Sequence, residues 1–162
     1  MTKGWAMAGM VLPLAFLAGA AAADGPKRPE TPFAVHVFTK SAEKDAVDST
    51  ADVRKAIQDK KKDWFRLSED EAGADLVIEI RGRGNEGSYE NVIRGRLTAA
   101  TVTEATIIGQ HIVTNQAVWK MGAGPWTNAA RDMANRLEKY CRAMHTELAD
   151  AQRRGVKVGA AR

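Results

Sequence analysis

The chain has a single cysteine, Cys141, so no intrachain disulfide can form and the fold must rest on its core. A lone cysteine in an exported chain is either buried and inert or pairs between chains. Cys141 falls in a helical pattern beside an apolar stripe, which favours burial, because a free cysteine behaves as a small hydrophobe. No apolar run reaches the roughly 20 residues that a membrane-spanning helix needs. The three histidines, His36, His111 and His145, are scattered and fit neither HxH nor HExxH spacing. No catalytic motif, internal repeat or cofactor signature stands out, and no metal site is expected.

What is present is a leader followed by a globular chain. Residues 1–23 carry Lys3 as a short positive region, an apolar stretch from Ala6 to Ala18, and the small residues Ala21, Ala22 and Ala23. That is the pattern of a signal peptide, with cleavage expected after Ala23. No cysteine stands near the cleavage site, so no lipid anchor is expected there. The expected location is exported, periplasmic or secreted. Overall 44% of residues are hydrophobic and 27% charged, which suits one globular domain and argues against disorder. Without Lys3 the mature part keeps 23 basic against 20 acidic residues. That balance permits an anionic partner without demanding one.

Residues 24–32, with three prolines, read as an extended linker. A single domain is expected over 33–154. Phe33 to Thr39 is a first strand. Ser49, with Asp52 three residues on, has the pattern of a helix cap. From there Val53, Ile57, Lys60 and Trp64 mark one helical face to about Lys62. Trp64 to Leu67 suits a short edge strand. Ser68 with Glu71 suits the cap of one helical turn. Ala74 to Arg83, ADLVIEIRGR, is the strongest strand signal, with Leu76, Val77, Ile78 and Ile80 as its branched apolar core. Val92 to Thr103 and Ala105 to Val118 read as two further strands. Pro125 suits the first position of a last helix. Trp126, Ala130, Met133, Leu137, Tyr140, Met144, Leu148 and Ala151 then form one apolar stripe. Gly155 ends it, and 155–162 is expected to be a flexible tail.

The element order predicts an α+β, two-layer sandwich, with a mostly antiparallel sheet and two main helices on one face. This order resembles the small α/β domains of the bacterial envelope, such as the amino-terminal domain of TolB and related domains of envelope lipoproteins. The resemblance covers about Phe33 to Leu148. It rests on the strand-helix start, on Ala-Asp-Leu-Val-Ile-Glu at 74–79 after a short acidic turn, and on the long closing helix. It implies a non-catalytic assembly or docking module in the periplasm.

Four arginines are the candidate binding residues: Arg81, Arg83, Arg94 and Arg96. Residues two apart in a strand share a face. A hairpin centred between Ser88 and Tyr89 pairs Arg81 with Arg96 and Arg83 with Arg94. It places all four on one face, with Ile78, Ile80, Leu97 and Ala99 on the other. Like charges opposite one another are unfavourable, so such a face calls for relief from Glu79, Glu86 and Glu90, or for an anion. Either an anionic polymer or an acidic envelope protein would suit it.

Other features have plainer readings. Gly82, Gly84 and Gly87 match the dinucleotide fingerprint GxGxxG, but a strand follows where that chemistry needs a helix. Cys141 and His145, four apart on the last helix, could pair as thiol and base in a small hydrolase or redox enzyme, but no third orienting group is visible. Glu69, Asp70 and Glu71 suit a helix start better than paired acid-base work. Lys60, Lys61 and Lys62 complement a helix end, so no nucleic-acid partner is expected. Trp64, Trp119 and Trp126 are read as packing residues at the core or its rim. The function expected is therefore a binding or assembly module. The alternatives are an enzyme on Cys141 and His145, or a small-anion binder with a concave pocket among the arginines. The oligomeric state is left open.

Overall fold

The computed structural model describes residues 28–85, 90–100, 108–118 and 125–161. The leader and its cleavage point, the hairpin tip at 86–89, and Trp119 lie outside the described residues. Among the described residues five strands and three α-helices follow one another: β1 (Phe33–Phe38), α1 (Lys44–Lys60), β2 (Phe65–Leu67), β3 (Leu76–Asn85), β4 (Glu90–Ala100), β5 (Ile108–Val118), α2 (Pro125–Ala143) and α3 (His145–Arg153). A short 3₁₀ turn closes the chain at Val158–Ala161.

The fold is α+β, as expected, but its sheet is mixed. The strand order is β2-β1-β3-β4-β5. β1 runs parallel to both β2 and β3, and only β3-β4 and β4-β5 are antiparallel. The parallel half has a simple cause. β1, α1 and β2 form a crossover unit, which returns the chain in the same direction. β2 then lies beside the start of β1, with Phe33 opposite Phe65 and Val35 opposite Leu67. β3 lies beside its end, from Val35 opposite Leu76 to Phe38 opposite Glu79. Residues 68–75 therefore need only step sideways across β1. Two bonds pin that step: the Ser68 carbonyl lies 3.1 Å from His36 Nδ1, and the Asp75 N–H donates to the Ala34 carbonyl at 2.8 Å. No helical turn forms at Ser68. Its hydroxyl donates instead to the Asp70 carbonyl, and the Asp70 carboxylate accepts from the Gly73 N–H.

The main core lies between the sheet and the helices. Phe33, Val35, Val37, Ile78, Ile80, Ile93, Leu97 and Ala99 meet Val53 and Ile57 of α1 and Met133, Leu137 and Cys141 of α2. Each side chain is almost wholly buried, which contributes about 1.5–3 kcal/mol for each of the large ones. α1 starts earlier than its cap pattern predicts. Ala46 and Ser49 continue the buried stripe of Val53 and Ile57 backwards by two turns. Ser49 is thus a buried helix residue, and its hydroxyl has no hydrogen-bond partner. Small residues extend a helix face without registering as hydrophobic, which hides such a start.

The closing helix is two helices. At Met144, φ −104° and ψ 21° break α2 from α3. Leu148 stays in the main core, while Ala151 joins a second, smaller cluster with Ala74, Val77, Ala100 and Val158. That cluster includes residues of the sheet face turned away from α1 and α2. The tail expected to be flexible is seated on it. Val158 is fully buried and its N–H donates to the Ala74 carbonyl at 3.0 Å. Gly159 passes so close to Ala72 that a Cβ there would come within 2.8 Å of its Cα.

One ionic staple joins the helices to each other. The Glu138 carboxylate on α2 accepts from Lys61 at 2.5 Å, and from Arg142 Nε at 2.9 Å. Arg142 in turn lies 4.6 Å over the Trp64 ring. Burial pushes the Glu138 carboxyl upward, but the hydrogen bonds from Lys61 and Arg142 outweigh it and hold it below its ordinary value of 4.5. A lowered carboxyl contributes stability that is present above the unfolded value and is lost as pH falls through the folded one. Glu138→Gln should therefore cost about 1 kcal/mol at neutral pH. The difference from the parent chain should shrink as pH drops below about 4.5, which urea unfolding at a series of pH values would read. A cost independent of pH would remove the ionic account.

Candidate functional site

The four arginines lie on β3 and β4, and the pairing of those strands decides where each one faces. Leu76 opposes Ala99, Ile78 opposes Leu97, Glu79 opposes Arg96 and Ile80 opposes Gly95. Beyond a break between Ile80 and Gly82 the register shifts, so Gly82 opposes Arg94 and Arg83 opposes Ile93. The expected pairs Arg81–Arg96 and Arg83–Arg94 do not form. Arg81 is the extra residue of a β-bulge, which re-aims the rest of the strand by one position. Gly82 makes this possible, with φ at +146°, a conformation open to glycine and strained for other residues.

The bulge separates the arginines. The core face of Ile78, Ile80, Leu97 and Ala99 is as expected. Arg83, three residues after Ile80 rather than two, turns to that helix side. Its guanidinium donates to Asp45 at 2.8 Å, lies 3.6 Å from Asp48, and stacks 4.6 Å from the Trp126 ring centre. Only 13% of the side chain is exposed. Arg83 thus ties β3 to α1 and α2. Asp48 sits in the same group, and a hydrogen bond from Lys44, aided by the charges of Lys44 and Arg83, holds its carboxyl below the usual range.

Arg94 and Arg96 share the opposite face of β4, by strand alternation. Arg94 is exposed and Arg96 half-buried, and Arg81 is exposed at the bulge beside them. Glu79 opposes Arg96 directly, and Lys40 lies 3.6 Å from its carboxylate. The Glu79 carboxylate therefore has Lys40 beside it and Arg96 across the strand pair. The floor under Arg94 is bare, since a Cβ built on Gly84 would lie 3.6 Å from an Arg94 guanidinium nitrogen. The result is a basic surface on the hairpin end of the sheet. Its other end is the part covered by Val156 and Val158.

The remaining candidates take structural places. Cys141 is fully buried in the main core, and burial pushes its thiol far up. A cysteine nucleophile needs the thiolate and access to substrate, and this site opposes both. His145 Nε2 is buried without a hydrogen-bond partner, so Cys141 makes no bond to it. The His145 ring instead meets Phe33 and Trp64 edge to face, at 6.5 and 6.3 Å. Among the described residues no group of three His, Cys, Asp or Glu is placed to hold a metal. Among the described residues, two cavities lie away from these four arginines. One, of about 350 Å³, is lined by Arg28, Thr31, His145 and Gln152 among others. The other, of about 250 Å³, lies between α1 and α2 at Asp52, Lys55, Thr127 and Arg131.

Sequence reasoning missed Asp75, a buried polar hub of the fold. It is 2% exposed and bonds the backbone of β1, a side chain of α3 and the tail. Its only signal was a carboxylate entering an otherwise apolar strand.

No protein-family model matches the sequence and no curated protein matches it, and the expected likeness to TolB is not confirmed. Among solved structures the chain is similar to the PelC dodecamer from Paraburkholderia phytofirmans, as the parent protein and as a point variant. Each has 13% identity, a TM-score of 0.39 and 65% of this chain covered, with 86% of the parent and 84% of the variant spanned. It is also similar to a minor lipoprotein from Acinetobacter baumannii, at 11% identity and a TM-score of 0.34, covering 70% of this chain and 94% of that one. At such scores the likeness says nothing of function.

Proposed function

We propose that the chain is an exported, non-catalytic binding or assembly module of the bacterial envelope, which docks an anionic partner on the outer face of its β3-β4 hairpin. The signal-peptide pattern of residues 1–23 supports export. One observation carries the docking reading: Arg94 and Arg96 point away from the helices beside the exposed Arg81, with Glu79 opposite Arg96. A row of arginines spread along two strands suits a charged polymer or an acidic protein better than a small anion, which needs a concave site. Arg83 is not part of this surface.

The test uses the mature chain, residues 24–162, on a dextran sulfate column. Arg94→Ala/Arg96→Ala should bind about three- to tenfold more weakly, with its fold unchanged by circular dichroism. Arg131→Ala/Arg136→Ala removes the same charge from α2 and serves as the control. Equal retention of the two double variants would leave only general charge and remove the docking face.

A further inference from the structure

We infer that β5 is an interface between two copies of this chain, which pair their β5 edges antiparallel to form one continuous ten-stranded sheet. The two edges of the sheet are built differently. An edge strand exposes unpaired backbone groups, and proteins blunt such edges with short strands, charges, proline or bulges. The β2 edge follows that rule: it is three residues long and carries Arg66. The β5 edge breaks it. β5 runs for 11 residues, Ile108–Val118, and pairs with β4 in unbroken register along its whole length. It contains no proline, and no Asp, Glu, Lys or Arg occurs anywhere from Ala105 to Trp119. The strands beside it are charged: β4 holds Glu90, Arg94 and Arg96, and β3 holds Glu79, Arg81 and Arg83. Among the described residues no strand pairs with the other side of β5.

The occupant is set by charge. Without Lys3 the mature chain keeps a formal charge of +3, so two copies carry like net charge. β5 is the long edge on which a copy meets no like charge. Antiparallel pairing of identical edges is closed by a two-fold axis perpendicular to the sheet, here near Val113, and so stops at a dimer. That axis keeps both helix layers on one side. It also sets both basic hairpin faces on the other side, in one surface. A polyanion bound to one face would then meet the second at high effective concentration.

Sedimentation of mature chain 24–162 tests this. The parent should be a dimer whose β5 amides gain protection from hydrogen exchange as concentration rises. Gln110→Lys/Thr114→Lys places charges at register positions opposite Thr98 and Arg94. It should weaken the dimer by roughly tenfold or more. Ala51→Lys/Gln58→Lys adds the same charge on exposed positions of α1 and should weaken it far less. Unchanged circular dichroism separates dissociation from unfolding. A monomer at every soluble concentration, a dimer indifferent to the β5 lysines, or β5 protection that does not follow concentration would each overturn the inference.

Discussion

Asp75→Ala should lower the stability of the domain by about 3–5 kcal/mol, the cost of removing one partner from a buried ion pair. Asp75 Oδ2 accepts from the Ala34 N–H at 2.8 Å and from Gln152 Nε2 at 3.2 Å. Its other oxygen accepts from Lys157. Its own carbonyl accepts from the Ala100 N–H at 3.0 Å. One side chain therefore joins the start of β1, the end of α3 and the closing tail. Truncation leaves the fully buried Ala34 N–H without its carboxylate and leaves a Lys157 ammonium whose side chain is only 24% exposed. Domains are stable by only about 5–15 kcal/mol, so this loss is a large share. Urea unfolding reads it. Lys157→Ala should also destabilise, and the double variant should lose less than the two single losses added, because the orphaned charge is gone. The tail should become the first site of proteolysis in Asp75→Ala. A loss under about 0.5 kcal/mol, the range of an ordinary surface change, would show that the clasp does not hold the tail.

How far residues announce such places depends on whether they act through a repeated pattern. β3 and its core face were legible because Ile78, Ile80, Leu97 and Ala99 alternate along two strands, and a period of two survives any error in strand ends. The stripe from Ala130 to Leu148 was legible for the same reason with a helical period. The parallel pairing of β1 with β3 was not, since it depends on where the three-residue β2 sits along β1. The tail was not, because Lys157, Val158 and Gly159 act singly: one charge, one methyl-bearing side chain and one missing Cβ. Asp75 and Glu138 likewise act as single hubs whose partners lie far away in sequence.

The arginine hairpin lies between these cases. Its residues were legible, and the shared face of Arg94 and Arg96 is a matter of alternation alone. The place of Arg83 was hidden, because one glycine decides it. A regular strand puts Arg81 and Arg83 together on the outside. A bulge at Gly82 sends Arg83 inward to Asp45 and Trp126, where it joins the layers instead of widening the basic surface.

Gly82→Val tests that decision and should cost about 1–3 kcal/mol, the usual strain of a side chain held in a sparsely allowed conformation. The cost is one of backbone conformation, because nothing lies within 4 Å of the place a Cβ would take. The chain can relieve it by closing the bulge. The register beyond Ile80 then slips by one, and a slip by one reverses every following side chain. Arg83 would leave Asp45 and Asp48 for the outer face, and the Trp126 ring would lose its guanidinium. Removing Arg83 should therefore cost less in the Gly82→Val background than in the parent chain. A thermodynamic cycle of Gly82→Val and Arg83→Ala measures this difference directly. Strict additivity of the two changes would mean that the glycine does not position the arginine. A shortfall would tie the bulge to the clasp between the sheet and its helices, and would explain why the outer basic surface is left to Arg81, Arg94 and Arg96.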